Sequence, residues 1–125
     1  MAIDDPKGRL VAAGRNTLRS ITASLATGAD VAWETTLSGR SAHIRAIGAA
    51  RAQRRPVGMI YVGLEDADLA ITRVASRVAQ GGHHVPDADV RRRYARSLDN
   101  LPDAVGLLDV VELFDNSSSF APYRP

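Results

Sequence analysis

The sequence predicts an α/β protein with a parallel sheet and helices on its faces. Three observations carry that expectation. Helical periodicity alternates with short apolar stretches along the whole chain. "VGMIYVGL" (57–64) is a continuous apolar run, the pattern of a strand covered on both faces. The apolar stretches turn polar at their C-terminal ends, where open α/β sheets bind ligands.

Taken in order, Leu10, Gly14, Leu18, Ile21 and Leu25 recur at three- and four-residue steps, which predicts a first helix stopped by Gly28. "ADVAWETT" predicts a short buried strand over 31–36. "SAHIRAIGAARAQRR" predicts a second helix, with Ser41 as its cap and Pro56 at its end. After the strand 57–64, "DADLAITRVASRVAQ" predicts a third helix closed by Gly81 and Gly82. Pro86 and Asp87 open a fourth, with the apolar stripe Val90, Tyr94, Leu98, Leu101 and Val105. "VVELFDN" is the last expected strand, and residues 118–125 are expected to form a loose tail beyond a single domain, 1–117. Alternation of this kind favours parallel strands joined by helical crossovers.

Composition narrows the function classes. With 45% apolar residues in 125, the chain can bury a core. No apolar run reaches the ~18 residues of a membrane span. No secretory signal is evident, and zero cysteines remove disulfides and thiolate metal sites, which is compatible with a cytoplasmic protein. The net charge is only +2, acids balance the arginines, and aromatics are scarce, so nucleic-acid binding is disfavoured. Three histidines, two of them adjacent, make a zinc site an unfavoured reading, and no metal site is expected.

Two clusters can carry chemistry. "WETTLSGR" places Glu34, Thr35, Thr36, Ser38 and Arg40 at one expected strand end, where a carboxylate can accept a ligand hydroxyl or act as a base. The alternative is a polar turn with a solvated glutamate. "RVASRVAQGGHHVPDADVRRRYARS" puts Arg73 and Arg77 on one helix face and Arg92 and Arg96 on one face of the next, around a glycine turn. A hairpin of that kind can gather guanidinium groups around phosphates. Alternatively, Asp66, Asp68, Asp87, Asp89 and Asp99 pair with the arginines on a solvated surface. One of His83 and His84 is expected to contact a ligand or cap a helix.

"WETTLSGR", "GGHHVPDADVRRRYARSLDNL" and "LFDNS", in that order, resemble the C-terminal two-thirds of the zeta-toxin-like family of P-loop kinases. The resemblance runs from about "DDPKGRLVAAGR" to "FDNS". It implies a three-layer parallel sheet of P-loop kinase type that lacks its first, central strand. It also implies ATP-dependent phosphorylation of UDP-N-acetylglucosamine or a similar small hydroxyl substrate, with ATP and Mg²⁺ as cofactors. Glu34, Thr35 and Thr36, with Arg40 beside them, would line the sugar-nucleotide site. Arg77 and one of Arg91, Arg92 and Arg93 would be lid residues on the ATP phosphates, with Arg73 and His83 nearby, and Asn116 would lie on the adenine side. Which arginine of the 91–93 run faces inward is open at this point. The partners implied are nucleotide and sugar-nucleotide ligands, an antitoxin or strand-completing chain, and a homo-oligomer.

The chain departs from the family pattern in two respects. Such a kinase needs G-x-x-x-x-G-K-[ST] to cradle phosphates and hold Mg²⁺. Here the sole lysine, Lys7, stands in "DPKGRL" without that loop, and the family's catalytic aspartate has no counterpart, Asp4 and Asp5 resembling the segment after it. The expectation is therefore a family member without its N-terminal third and with no catalytic residue of its own. A non-catalytic module that binds nucleotides or another protein is the alternative.

Overall fold

The computed structural model describes residues 6–39 and 41–125, with side chains from residue 13 onward. In chain order the elements are α1 (Pro6–Ala26), α2 (Ala42–Ala52), β1 (Gly58–Gly63), α3 (Ala67–Ala79), α4 (Asp87–Leu107) and β2 (Val110–Asp115). Strands β1 and β2 pair in parallel, Gly58 opposite Val110 and Gly63 opposite Asp115. The expected α/β class holds, but among the described residues the sheet has two strands, so a three-layer sheet is not what the fold displays.

Both glycine stops close helices in the same way. Beyond α1, Gly28 takes φ 81°, its N–H donates to Leu25 O at 3.0 Å, and Ala29 N–H donates to Ser24 O at 3.2 Å. This is the left-handed closure that glycine tolerates without a Cβ penalty. Beyond α3, Gly81 takes φ 96° and serves the same purpose. At the other end of α3, Asp66 is an N-cap whose side chain accepts from Leu69 N–H at 2.7 Å. Ser41 occupies the N-cap position of α2 but makes no side-chain cap, so that expectation fails. Helix α2 also ends earlier than the sequence suggests, at Ala52, because Arg54 enters the left-handed region at φ 55°.

The strand expected over 31–36 does not form. A strand exists only as one member of a pair, and among the described residues no backbone–backbone hydrogen bond reaches this segment. Side chains fix its path instead. Val31 and Trp33 pack on the core, and Asp30 meets Arg55 at 2.9 Å. The segment ends in a turn at Leu37, buried and held at φ 56°. Leu37 N–H donates to Thr35 Oγ1 at 3.1 Å, while Asn100 of α4 donates to Leu37 O at 2.7 Å and Gly39 O at 3.0 Å.

The core lies beside the sheet rather than on it. Ile21 and Leu25 of α1 meet Ala46, Ile47 and Ala50 of α2 and Val57, with Leu107 and Leu108 closing the far side. On β1 the alternation is clear: Met59, Tyr61 and Gly63 are half-buried, and Ile60 (69% exposed) and Val62 (46%) face outward. Val110 of β2, 60% exposed, continues that open apolar surface. The residues after β2 turn back, Arg124 forming an antiparallel bridge with Asp115. No described helix is long and apolar enough to cross a membrane.

Candidate functional site

A cavity of about 240 Å³ opens between the C-terminal end of β1 and the α3–α4 hairpin. Tyr61 to Leu64 form one wall, Ala70, Val74 and Arg77 of α3 a second, and Val90, Arg93, Tyr94, Ser97 and Leu98 of α4 a third, with Thr36 and Val85 at the margins. The position follows from topology. A parallel pair sends both strand ends the same way, and the hairpin that joins them must return over those ends.

Hydrogen bonds fix the walls. Tyr61 OH and Ser97 Oγ meet at 2.9 Å, the serine being buried. Tyr94 OH donates to Leu64 O at 2.9 Å. Burial pushes the Tyr94 phenol above its ordinary value, and Asp66, Tyr61 and Glu65 push the same way, so it stays a protonated donor. The cavity therefore has mostly apolar walls with a few polar groups.

The arginines separate into engaged and unengaged groups. Arg91 reaches Asp68 at 2.6 Å and Arg92 reaches Asp89 at 2.6 Å. Arg73 donates to the carbonyls of Asn116 (3.0 Å) and Ser117 (3.2 Å), tying α3 to the turn after β2. Arg77 and Arg93 both line the cavity, and neither has an ion pair among the described residues. Arg77 and Arg93 are thus the two cationic residues of the cavity lining.

The other sequence-expected site residues are more scattered. Thr36 lines the cavity margin, its Oγ1 2.7 Å from Ser38 Oγ. Thr35 is spent on the Leu37 turn, and Glu34 is exposed outside the cavity lining. His83 is exposed in the α3–α4 connection and does not line the cavity. Asn116 donates its backbone N–H to Gly63 O at 2.9 Å, beside the cavity rather than in it. Arg40, Asp4 and Asp5 lie outside the described residues, as does the Lys7 side chain. Tyr61, Tyr94 and Ser97 were not expected at the site, Tyr61 and Tyr94 having read as strand interior and apolar stripe.

Of the groups a phosphate would need, the lining offers the two arginines, which have no ion pair among the described residues. No carboxylate lines the cavity, and no group of three metal-ligating side chains occurs among the described residues. No family model, curated protein or solved structure matches this chain.

Proposed function

We propose that this chain binds a phosphate-bearing small molecule, a nucleotide or nucleotide-sugar, in the cavity under the α3–α4 hairpin. The reading is that of a zeta-toxin-like kinase domain whose hairpin closes on phosphates. One observation supports it above the rest: of the hairpin arginines, Arg73, Arg91 and Arg92 are engaged by protein groups and Arg96 is exposed away from the cavity, while Arg77 and Arg93 line one cavity without a carboxylate. Arginine offers phosphate a planar, bidentate donor set.

Binding is not transfer. Phosphoryl transfer is mostly positioning and charge stabilisation of the γ-phosphoryl by a glycine loop, its lysine and Mg²⁺. The sequence has no G-x-x-x-x-G-K-[ST]. The expected result with labelled ATP and UDP-N-acetylglucosamine is therefore measurable binding by calorimetry and no phosphorylated sugar. Absence of any binding sinks the ligand reading. Turnover proportional to this chain means that a different phosphate site operates.

A second reading rests on a separate observation. Ile60, Val62 and Val110 leave exposed apolar side chains on one face of the sheet, with exposed Glu112 opposite Ile60. Such a face favours association with another chain, an antitoxin-like protein or a second copy.

A further inference from the structure

The two glycines between α3 and α4 serve different ends. Gly81 supplies the left-handed φ of 96°, and a Cβ added there meets nothing within 4 Å. Gly82 is crowded instead. A Cβ at Gly82 would lie 2.9 Å from Arg77 Cγ and 2.9 Å from Arg77 O. The Gly82 N–H donates to Arg77 O at 2.8 Å, and the Gly81 N–H donates to Val78 O at 2.9 Å. In closures of this type the side chain two places beyond the helix cap commonly packs on the residue five positions earlier. Here that earlier residue is Arg77, and its own stem fills the space.

We propose that Gly82 is a positioning residue for the cavity: its missing side chain lets the Arg77 stem lie along the turn and holds the guanidinium at the cavity wall. This rests on the reading of the cavity as a phosphate site. The contact is with the root of the arginine and with a carbonyl that closes the helix, not with a flexible side-chain end. A methyl group at Gly82 therefore drives Cγ to another staggered rotamer, or breaks the closure. Either change moves the far end of a long side chain, and on the phosphate reading the Arg77 cation is then lost from the cavity wall.

The test uses inorganic pyrophosphate as probe, titrated calorimetrically at low ionic strength. Arg77→Ala is expected to weaken binding about tenfold, the lower range for a charged hydrogen bond. Gly82→Ala should weaken it by a similar factor, and Gly82→Ala combined with Arg77→Ala no further than Arg77→Ala alone. Gly81→Ala strains the same closure without touching Arg77. It should lower the melting temperature and keep the affinity within about twofold. Three-bond couplings of Arg77 in the unliganded wild-type protein should show a single χ1 rotamer. That measurement stands even if Gly82→Ala does not fold, and an averaged χ1 overturns the proposal. Equal losses in Gly81→Ala and Gly82→Ala also overturn it, because unwinding of the helix end then explains both. Should Arg77→Ala weaken binding while Gly82→Ala does not, only the role of Gly82 falls. Should Arg77→Ala change nothing, the phosphate reading of the cavity falls, and the role of Gly82 with it.

Discussion

Three consecutive arginines, Arg91, Arg92 and Arg93, make the sharpest test, because the structure gives the first two one kind of surroundings and the third another. Arg91 and Arg92 are largely exposed and each meets one aspartate, whereas Arg93 is half-buried at the cavity wall. Surface pairs of the first kind contribute ~0–1 kcal/mol to stability and nothing to a ligand they do not face. A hydrogen bond from Arg93 to a phosphate oxygen contributes about 1.5–3 kcal/mol. At roughly 1.4 kcal/mol per decade, Arg93→Ala should weaken nucleotide binding by about 10- to 150-fold. The same change at Arg91 or Arg92 should stay within about twofold. Arg77 is more exposed than Arg93, so screening places Arg77→Ala toward the lower end of that range. Calorimetric titration with ATP or UDP at 50 and 300 mM salt reads both the losses and their screening. Three arginines that behave alike refute the assignment, and the hairpin is then an ordinary solvated surface.

Three further outcomes are expected. Asp66→Ala removes the side-chain bond to Leu69 N–H and should cost about 1 kcal/mol, read as a lower urea midpoint at unchanged slope. Burial holds the His43 imidazole below its ordinary value of 6.5, and the charge of Asp103 only partly opposes this. Its contribution is complete above pH 6.5 and is lost as pH falls from there through the depressed folded value, because the unfolded chain binds the proton first. Urea unfolding at pH 7.5, 6.5 and 5.5 should show that decline, and His43→Leu should flatten it. Finally, Ile60→Glu should shift sedimentation toward the monomer if the open sheet face mediates association, and an unchanged mass from wild type to variant counts against that face.

The elements that depend on local chemistry were legible in the sequence. Gly28 and Gly81 stop helices because their φ values need no partner elsewhere, and "VGMIYVGL" yields β1 at the expected place. The segment 31–36 misled because it has strand composition, and composition does not supply a neighbour to pair with. Ser41 looked like a cap, yet its φ of −143° and ψ of −15° make no bond to the helix. At the site, the grouping of arginines around a glycine turn was visible as spacing. Arg92 meets Asp89 three residues earlier on the same helix, a local pair, but the pairing of Arg91 with Asp68 depends on how α3 crosses α4, and that is a tertiary quantity. The same holds for Ser97, whose hydroxyl has a role only because Tyr61 arrives from 36 residues away.

The parallel pairing of β1 with β2 has a consequence for how the chain assembles. Val57 N–H bonds to the side chain of Asp109, 52 residues on, so the sheet closes a long loop. Bringing the ends of ~50 flexible residues together costs about 3.5 kcal/mol by the logarithmic law, against roughly half that when only a few linking residues stay loose. A preformed α3–α4 hairpin makes that difference, since it spans most of the interval and carries the contacts between its own helices. The order of events should then be hairpin first and sheet second. Substitutions that weaken the α3–α4 contact, such as Val90→Ala, should slow refolding, while Val111→Ala in β2 should mainly quicken unfolding. The arginines would thus be gathered into one face before the strands whose ends complete the cavity have met.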